Sequence, residues 1–542
     1  MKKNLMPLLT VVLLFCVMIM NAENGKGSKS SIPYKSPNSV LYGKDIIMNN
    51  VPSQNQRNVH VSVAFNGWLF AVYTHSTSTN SGYGILKSID NGITWTVISD
   101  VSYPGAYTAA GVVVAGNNLS DLKLFVAGIV EHSASSYTVW CDRRNAQTGD
   151  LENEFFSETS TNQIYDLAIA SDYRYPEYGI TPYSLGIVFS KSSTLDSVIL
   201  VTSDDGGYTI GSRNVVATTN MFFRKVAISY GICNSYDEGR YFVAWEEMET
   251  HLSTMGHIWT GYTDPLIFDP IINKVKLDSM YSAYYNVCFN PAISTQFNSS
   301  EDNSSGNLSE IVLFDGNYNP GDNDLLGMYN VQAVGTGIAS WQQFYIAASY
   351  DDEMESDINF DPIYNNFLVT YFDSTTQQLP YIINNMNLVD PYNWTEISAG
   401  YNDSSNLSYP YPKVQTDQIF NKVVNVWSAE GSGGGVGMFD AEFSTYTGIS
   451  QIHQSDVATL EGAYPNPAAT KTSIGFTLNN QAEVIINLYS IFGQEIKLIT
   501  DQSFNPGKNI VDVDVSNLPE GTYIYSLKAK DFTASGRIIV IR

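Results

Sequence analysis

Carboxylates follow a run of apolar residues at five places in the chain: Glu131, the adjacent pair Glu246 and Glu247, Asp315, Asp373 and Glu430. Two carboxyl groups about 5–9 Å apart across a sugar linkage are what glycoside hydrolysis requires, one as acid and the other as base or nucleophile. Glu246, Glu247 and Asp373 are the candidates for such work. The competing reading is compositional. The chain has 54 Asp plus Glu against 28 Lys plus Arg, so acidic loops are expected everywhere, and a sequence displays neither geometry nor perturbed pKa values. The stretch Asp315-Gly-Asn-Tyr-Asn319-Pro-Gly-Asp322-Asn-Asp324 offers closely spaced hard oxygens for Ca²⁺ through Asp315, Asn319, Asp322 and Asp324. It departs from EF-hand spacing and lacks the terminal Glu, so a solvated loop explains it as well. No other metal or cofactor is implied, because the six His are scattered and no Cys-x-x-Cys occurs.

These carboxylates share a position within a repeated unit. The runs before them are Leu69–Tyr73, Phe125–Val130, Leu185–Phe189, Tyr241–Trp245, Ile311–Phe314, Phe367–Tyr371 and Val423–Trp427. Their last residues lie 57, 59, 56, 69, 57 and 56 positions apart. β-branched and aromatic residues at that spacing, without helical period, predict an array of β units. Each unit opens with a short apolar strand, such as Leu167–Ala170 or Val226–Ser229, followed by the long run and two further strands. Seven four-stranded units predict an all-β, seven-bladed propeller over residues 45–446, or a six-bladed one if the 69-residue interval hides an irregular unit. The segment Asp45–Met48 is placed to join the last blade and close the ring.

Two units carry a Gly turn after the third strand: Ser88-Ile-Asp90-Asn-Gly92-Ile-Thr94-Trp95, and Ser203-Asp-Asp205-Gly-Gly207-Tyr-Thr209-Ile210. Both resemble the Asp-box (BNR) repeat of sialidase-like propellers, the second with Ile210 where the family has an aromatic. The box is a folding element. Its carboxylate accepts turn amides, its Gly takes positive φ, and its aromatic packs between sheets. The resemblance suggests sialidase activity, which needs three Arg to clamp a carboxylate. Here Arg57, Arg143, Arg144, Arg174, Arg213, Arg224 and Arg240 are followed by none until Arg537, so the triad is not apparent and that activity is not expected.

The formal charge of −26 argues against nucleic acid and anionic membranes as partners. Residues 1–22 read as a cleaved signal peptide, with Lys2 and Lys3 before a short apolar core and Met20-Asn21-Ala22 at its end. No transmembrane span is then expected in the mature protein. Residues 23–44 read as a flexible lead-in. Cys141, Cys233 and Cys288 remain after cleavage, and either a Cys233–Cys288 disulfide or three buried thiols fits.

Residues 447–459 read as a linker. Beyond them, Pro- and Gly-punctuated strands predict a small β-sandwich over 460–542. Its marks are Tyr464-Pro465-Asn466-Pro467, Gly493 in a hairpin, the Leu-Pro-Glu-Gly521-Thr-Tyr523 run and a last strand starting at Arg537. This tail resembles the type A C-terminal sorting domain of the type IX secretion system of Bacteroidetes. The resemblance implies passage by that machinery to the outside, ending in release or attachment at the outer-membrane surface. The sequence thus predicts an exported propeller that binds a glycan or protein ligand, with an extracellular glycoside hydrolase as the alternative.

Overall fold

The computed structural model of the protein describes residues 46–445 and 458–540, apart from positions 50–53, 65–66, 90–91, 93, 117–121, 173–182, 232–238, 250–255, 264–271, 282–284, 286, 296–306, 320–321, 334–340, 348–351, 362–365, 386–393, 399–409, 418–421, 431–436, 465, 467, 479, 491–494, 520 and 530–531. The signal-peptide and lead-in expectations therefore lie outside the described residues, as do Asp90, Cys233 and Gly493.

Seven four-stranded antiparallel sheets follow one another up to Thr445. Blade 1 runs from Asn55–Val63 to Thr96–Tyr103, blade 2 from Ala106–Ala115 to Leu151–Ser160, and blade 3 from Ile164–Ser171 to Ser212–Thr219. Blade 4 runs from Phe222–Gly231 to Ile272–Lys276, blade 5 from Val287–Thr295 to Gln342–Ala347, and blade 6 from Glu353–Asp361 to Trp394–Ser398. Blade 7 contributes Lys413–Asp417, Lys422–Glu430 and Gly437–Thr445, and takes its fourth strand from the other end of the chain. That strand, Ile46–Asn49, pairs antiparallel with Gly437–Thr445, with Ile46 opposite Ala441. Each first strand packs against the first strand of the next blade, and Lys413–Asp417 packs back against Asn55–Val63, so the sheets close into a ring. Among the described residues, the 69-residue interval contains the 3₁₀ turn Asp278–Met280 and no extra sheet.

The hydrophobic runs become the second strands. Leu69–His75 is buried at every position, because a strand with a neighbouring blade over each face has no solvent side. The cores are shared between blades. Phe70 and Val72 of blade 1 meet Val112 and Leu124 of blade 2, and Val424 and Val426 of blade 7 meet Val59 and Leu69 of blade 1. In the first Gly turn, Trp95 packs into that last interface, whereas Ile210, at the matching place in the other turn, is exposed.

The tail, Ala458–Val540, forms a three-stranded and a four-stranded sheet around a core that includes Ile474, Phe476, Leu488, Tyr525 and Ile538. Tyr523 donates to the Pro519 carbonyl at 2.9 Å, fixing the turn before that strand.

The turn Ser203–Thr209 is held by its own side chains. Asp205 accepts from the amides of Tyr208 and Thr209, both at 2.9 Å, and from the Thr209 hydroxyl at 2.6 Å. Burial raises its pKa, but these bonds and one from the Ser203 hydroxyl together bring it down to about 2. Gly207 has φ +78°, and a Cβ there would collide with the Phe125 ring of blade 2. Gly207→Ala is therefore expected to cost about 1–3 kcal/mol through left-handed strain and overpacking. Urea unfolding measures it, and an unchanged midpoint would mean the turn does not brace blade 2.

Candidate functional site

A cavity of about 430 Å³ is enclosed by the first strands of all seven blades. At one end of it, the start of each first strand lies beside the end of its second strand, since the two are antiparallel. The carboxylates that follow the hydrophobic runs are brought to that same end.

Ladder pairing slips there. The first strands lose register between Arg57 and His60, Tyr107 and Ala109, Ile164 and Asp166, Phe223 and Val226, Phe289 and Ala292, and Met354 and Asp357. Asn58, Asn290 and Glu355 sit in these bulges with φ of 52°, 51° and 58°, and Tyr411, just before blade 7, has φ 45°. Left-handed backbone at a non-glycine residue costs about 1–3 kcal/mol, and four cases around one opening mark a place the surrounding structure enforces.

Carboxylates of one blade satisfy the displaced amides of the next. Glu246 of blade 4 accepts from Asn290 N at 3.3 Å, and Asp315 of blade 5 from Glu355 N at 3.1 Å. Glu355 of blade 6 accepts from Tyr411 N at 3.0 Å, and Asn290 Nδ2 reaches Asp315 at 2.8 Å. The chain of contacts thus runs through four blades. Glu246 and Asp315 have no exposure, and Glu246 Oε1 and Asp315 Oδ1 find no hydrogen-bond partner among the described residues.

In front of this tier stand two ion pairs. Asp166 of blade 3 lies 3.6 Å from Lys225 Nζ of blade 4 and accepts from Val226 N at 3.1 Å. Asp357 of blade 6 lies 3.2 Å from Lys413 Nζ of blade 7 and accepts from Val414 N at 2.9 Å. All four lie on the cavity lining, with His60 of blade 1.

Burial governs the acidities. It pushes the Glu246 carboxyl up to about 7 against the nearby Arg224 charge, and Glu355 up to about 7 against its bond from Tyr411 N. Asp315 is raised well above the usual carboxylate range by burial, which outweighs its bonds from Asn290 and Glu355. The Asp166 charge raises Lys225, and burial together with Lys413 and Lys225 lowers His60.

The sequence-selected residues divide accordingly. Glu246 and Asp315 belong to the mouth. Glu247 accepts from Trp259 Nε1 at 2.9 Å, and Asp373 caps its own turn through the amides of Thr375 and Thr376 at 2.9 and 3.0 Å. Glu131 faces the Tyr137 hydroxyl at 3.5 Å, and the Glu430 side chain lies outside the described residues. The Asp315–Asp324 stretch is a hairpin in which Asn319 opposes Asp322, so Asp315 turns into the mouth while Asp324 accepts from the Tyr285 hydroxyl. Among the described residues, no group of three or more His, Cys, Asp and Glu is placed to hold a metal ion. Among the described residues the arginines are dispersed. Arg144 pairs with Asp142 at 2.7 Å, Arg213 with Glu158 at 2.8 Å, and Arg143 lies over the exposed Tyr208 ring. Trp259 stacks on Trp245 and Trp394 on Phe344, within the core. Cys141 and Cys288 are buried free thiols.

Asp166, Lys225, Asp357 and Lys413 were not singled out in the sequence. Their signal is a charged residue within a first strand and immediately before an apolar one, as in Asp166-Leu167, Lys225-Val226, Asp357-Ile358 and Lys413-Val414.

Residues 462–541 match the secretion system C-terminal sorting domain. The protein is therefore exported by type IX secretion and ends outside the cell or on its surface. No curated protein matches the chain. Among solved structures, a mutant of the α-L-arabinofuranosidase Arb93A from Fusarium graminearum with an iminosugar inhibitor is similar at a TM-score of 0.40 and 12% identity, over 74% of this chain and 97% of that one. A protein of unknown function from Dyadobacter fermentans is similar at 0.41 and 13%, over 74% and 98%. The polysaccharide lyase Uly1 is similar at 0.39 and 8%, over 76% and 94%. Likenesses this distant do not bear on what the chain does.

The acidities make a stability prediction. A carboxyl whose folded pKa is raised from 4.5 to about 7 binds its proton more tightly in the fold. Its stabilising contribution is complete below the unfolded pKa and is lost as pH rises through the folded one. The limit is about 3 kcal/mol per group. The melting temperature should fall between pH 5 and pH 8, and Glu246→Gln or Glu355→Gln should flatten that slope. An equal slope in both variants would place the titration elsewhere.

Proposed function

We propose that the exported protein binds an extracellular glycan at this mouth. The observation that carries the reading is the convergence of ammonium donors and carboxyl groups from blades 3, 4, 6 and 7 on one cavity. Sugar hydroxyls donate and accept at once, which suits a wall that alternates donors with acceptors. The cavity volume falls within the range of about 300–1,000 Å³ common to small-ligand sites, and a protein ligand would need a broader surface. Dispersal of the arginines argues against sialidase activity.

A second reading, glycoside hydrolysis, is favoured by one observation. Burial holds the carboxyl of Glu355, which lines the cavity, near neutrality, where such a group can serve as a general acid.

The full chain incubated with a panel of polysaccharides, with retained protein and released sugar measured in the same tubes, tests both. Retention without release is the expected outcome. Release that drops at least 100-fold in Glu246→Gln or Glu355→Gln would replace binding by hydrolysis. If nothing is retained and nothing released, the ligand is not a glycan.

A further inference from the structure

The mouth contains one arrangement twice. An acid at the start of a first strand, Asp166 or Asp357, holds the backbone of the next blade with one carboxylate oxygen and a lysine of that blade with the other. In both copies the lysine immediately precedes the residue whose amide is held, Lys225 before Val226 and Lys413 before Val414. The carboxylate is thereby fixed, and each ammonium is fixed in turn at the cavity wall. An ammonium carries three donors, more than its one carboxylate takes. The two copies lie on blades 3–4 and 6–7, and His60 of blade 1 senses the charge of both lysines.

We propose that the glycan bound at this mouth is an acidic one, its carboxylate or sulfate group held by Lys225 and Lys413 with His60 beside them. This rests on the glycan-binding reading of the same site.

The other charged groups decide whether an anion can enter. Around the lysines lie Arg224, Asp166, Asp357, Tyr411 and the buried acids Glu246 and Glu355, with Asp315 behind them on the Glu355 amide. Asp166 and Asp357 are neutralised within their pairs. Burial holds Glu246 and Glu355 up to about 7, so below that pH they add little negative charge beside the lysines and Arg224. Above that pH their ionisation adds negative charge, and anion binding should weaken. The rest of the molecule opposes such a ligand. A formal charge of −26 repels polyanions at long range, so any polyanion retained must find a built positive site.

The test uses the full chain with three polymers: polygalacturonate, dextran sulfate and neutral dextran. Binding of polygalacturonate or dextran sulfate at pH 6, at least tenfold weaker in Lys225→Gln or Lys413→Gln and weaker at pH 8, is the expected result. Polygalacturonate alone would name the carboxylate, and dextran sulfate alone the sulfate. Equal binding of neutral dextran, untouched by either lysine change, would overturn the acidic ligand while leaving glycan binding in place. Retention of no polymer, together with no retention across the wider panel, would overturn both. Should the lysine variants fail to fold, thermal shift of the unaltered protein decides. Galacturonate must raise the melting temperature more than galactose does, and equal shifts reject the proposal.

Discussion

The structure depends on a backbone problem that recurs around the ring. Where a first strand meets the cavity mouth, its pairing with the second strand slips, as between Phe223 and Val226 or Met354 and Asp357. A slipped residue has an amide with no ladder partner, in a place with little water to replace one. The neighbouring blade supplies the acceptor. Side-chain oxygens of Asp166, Glu246, Asp315, Glu355 and Asp357 each take an amide from the next blade, and Ser62 takes Val114 N at 3.0 Å. The acids that form the candidate site are thus also the fasteners between blades.

That double use explains the energetics. A carboxyl group enclosed by protein prefers its neutral form, and a hydrogen bond to its charged form only partly restores ionisation. Glu246 and Asp315 each retain one oxygen with no partner, so the fold bears a cost there that tighter packing could remove. The left-handed residues Asn290 and Glu355 lie beside them on the cavity wall, so backbone strain and unpaired carboxyl oxygens occur in one tier.

Much of the architecture was legible because the second strands are hydrophobic throughout. Runs such as Leu185–Phe189 recur at intervals of 56–59 residues for most of the chain, and that period outlines the blades. The closing strand at Ile46–Asn49 and the Gly turn at Gly207 were also readable, the first from position and the second from turn chemistry. The site was only half readable. Glu246 was visible because it follows a strand, but so do Glu247 and Asp373, and alternation sends Glu247 to Trp259 and a turn claims Asp373. Side-chain direction changes with every residue of a strand, and a bulge shifts the phase. Asp166, Lys225, Asp357 and Lys413 stayed hidden because their meaning lies in contacts about 60 residues away.

The seven blades share one plan, so whatever distinguishes a ligand must come from where they differ. At the mouth the differences are ordered. Blades 3, 4, 6 and 7 present acids and lysines, blade 5 presents Asn290 and Pro291, and blade 1 presents Asn58 and His60. Blade 2 presents Thr108, Ala109, Ala110, Val112 and Val113. Asn58 spans to that blade through its Nδ2 bond to the Thr108 carbonyl at 3.1 Å, holding the small side chains in place. The cavity wall is therefore charged on one side and small and uncharged on the other. A ligand anchored by a polar group at Lys225 and Lys413 would find room for its body beside blade 2, which a symmetrical ring of like side chains could not provide.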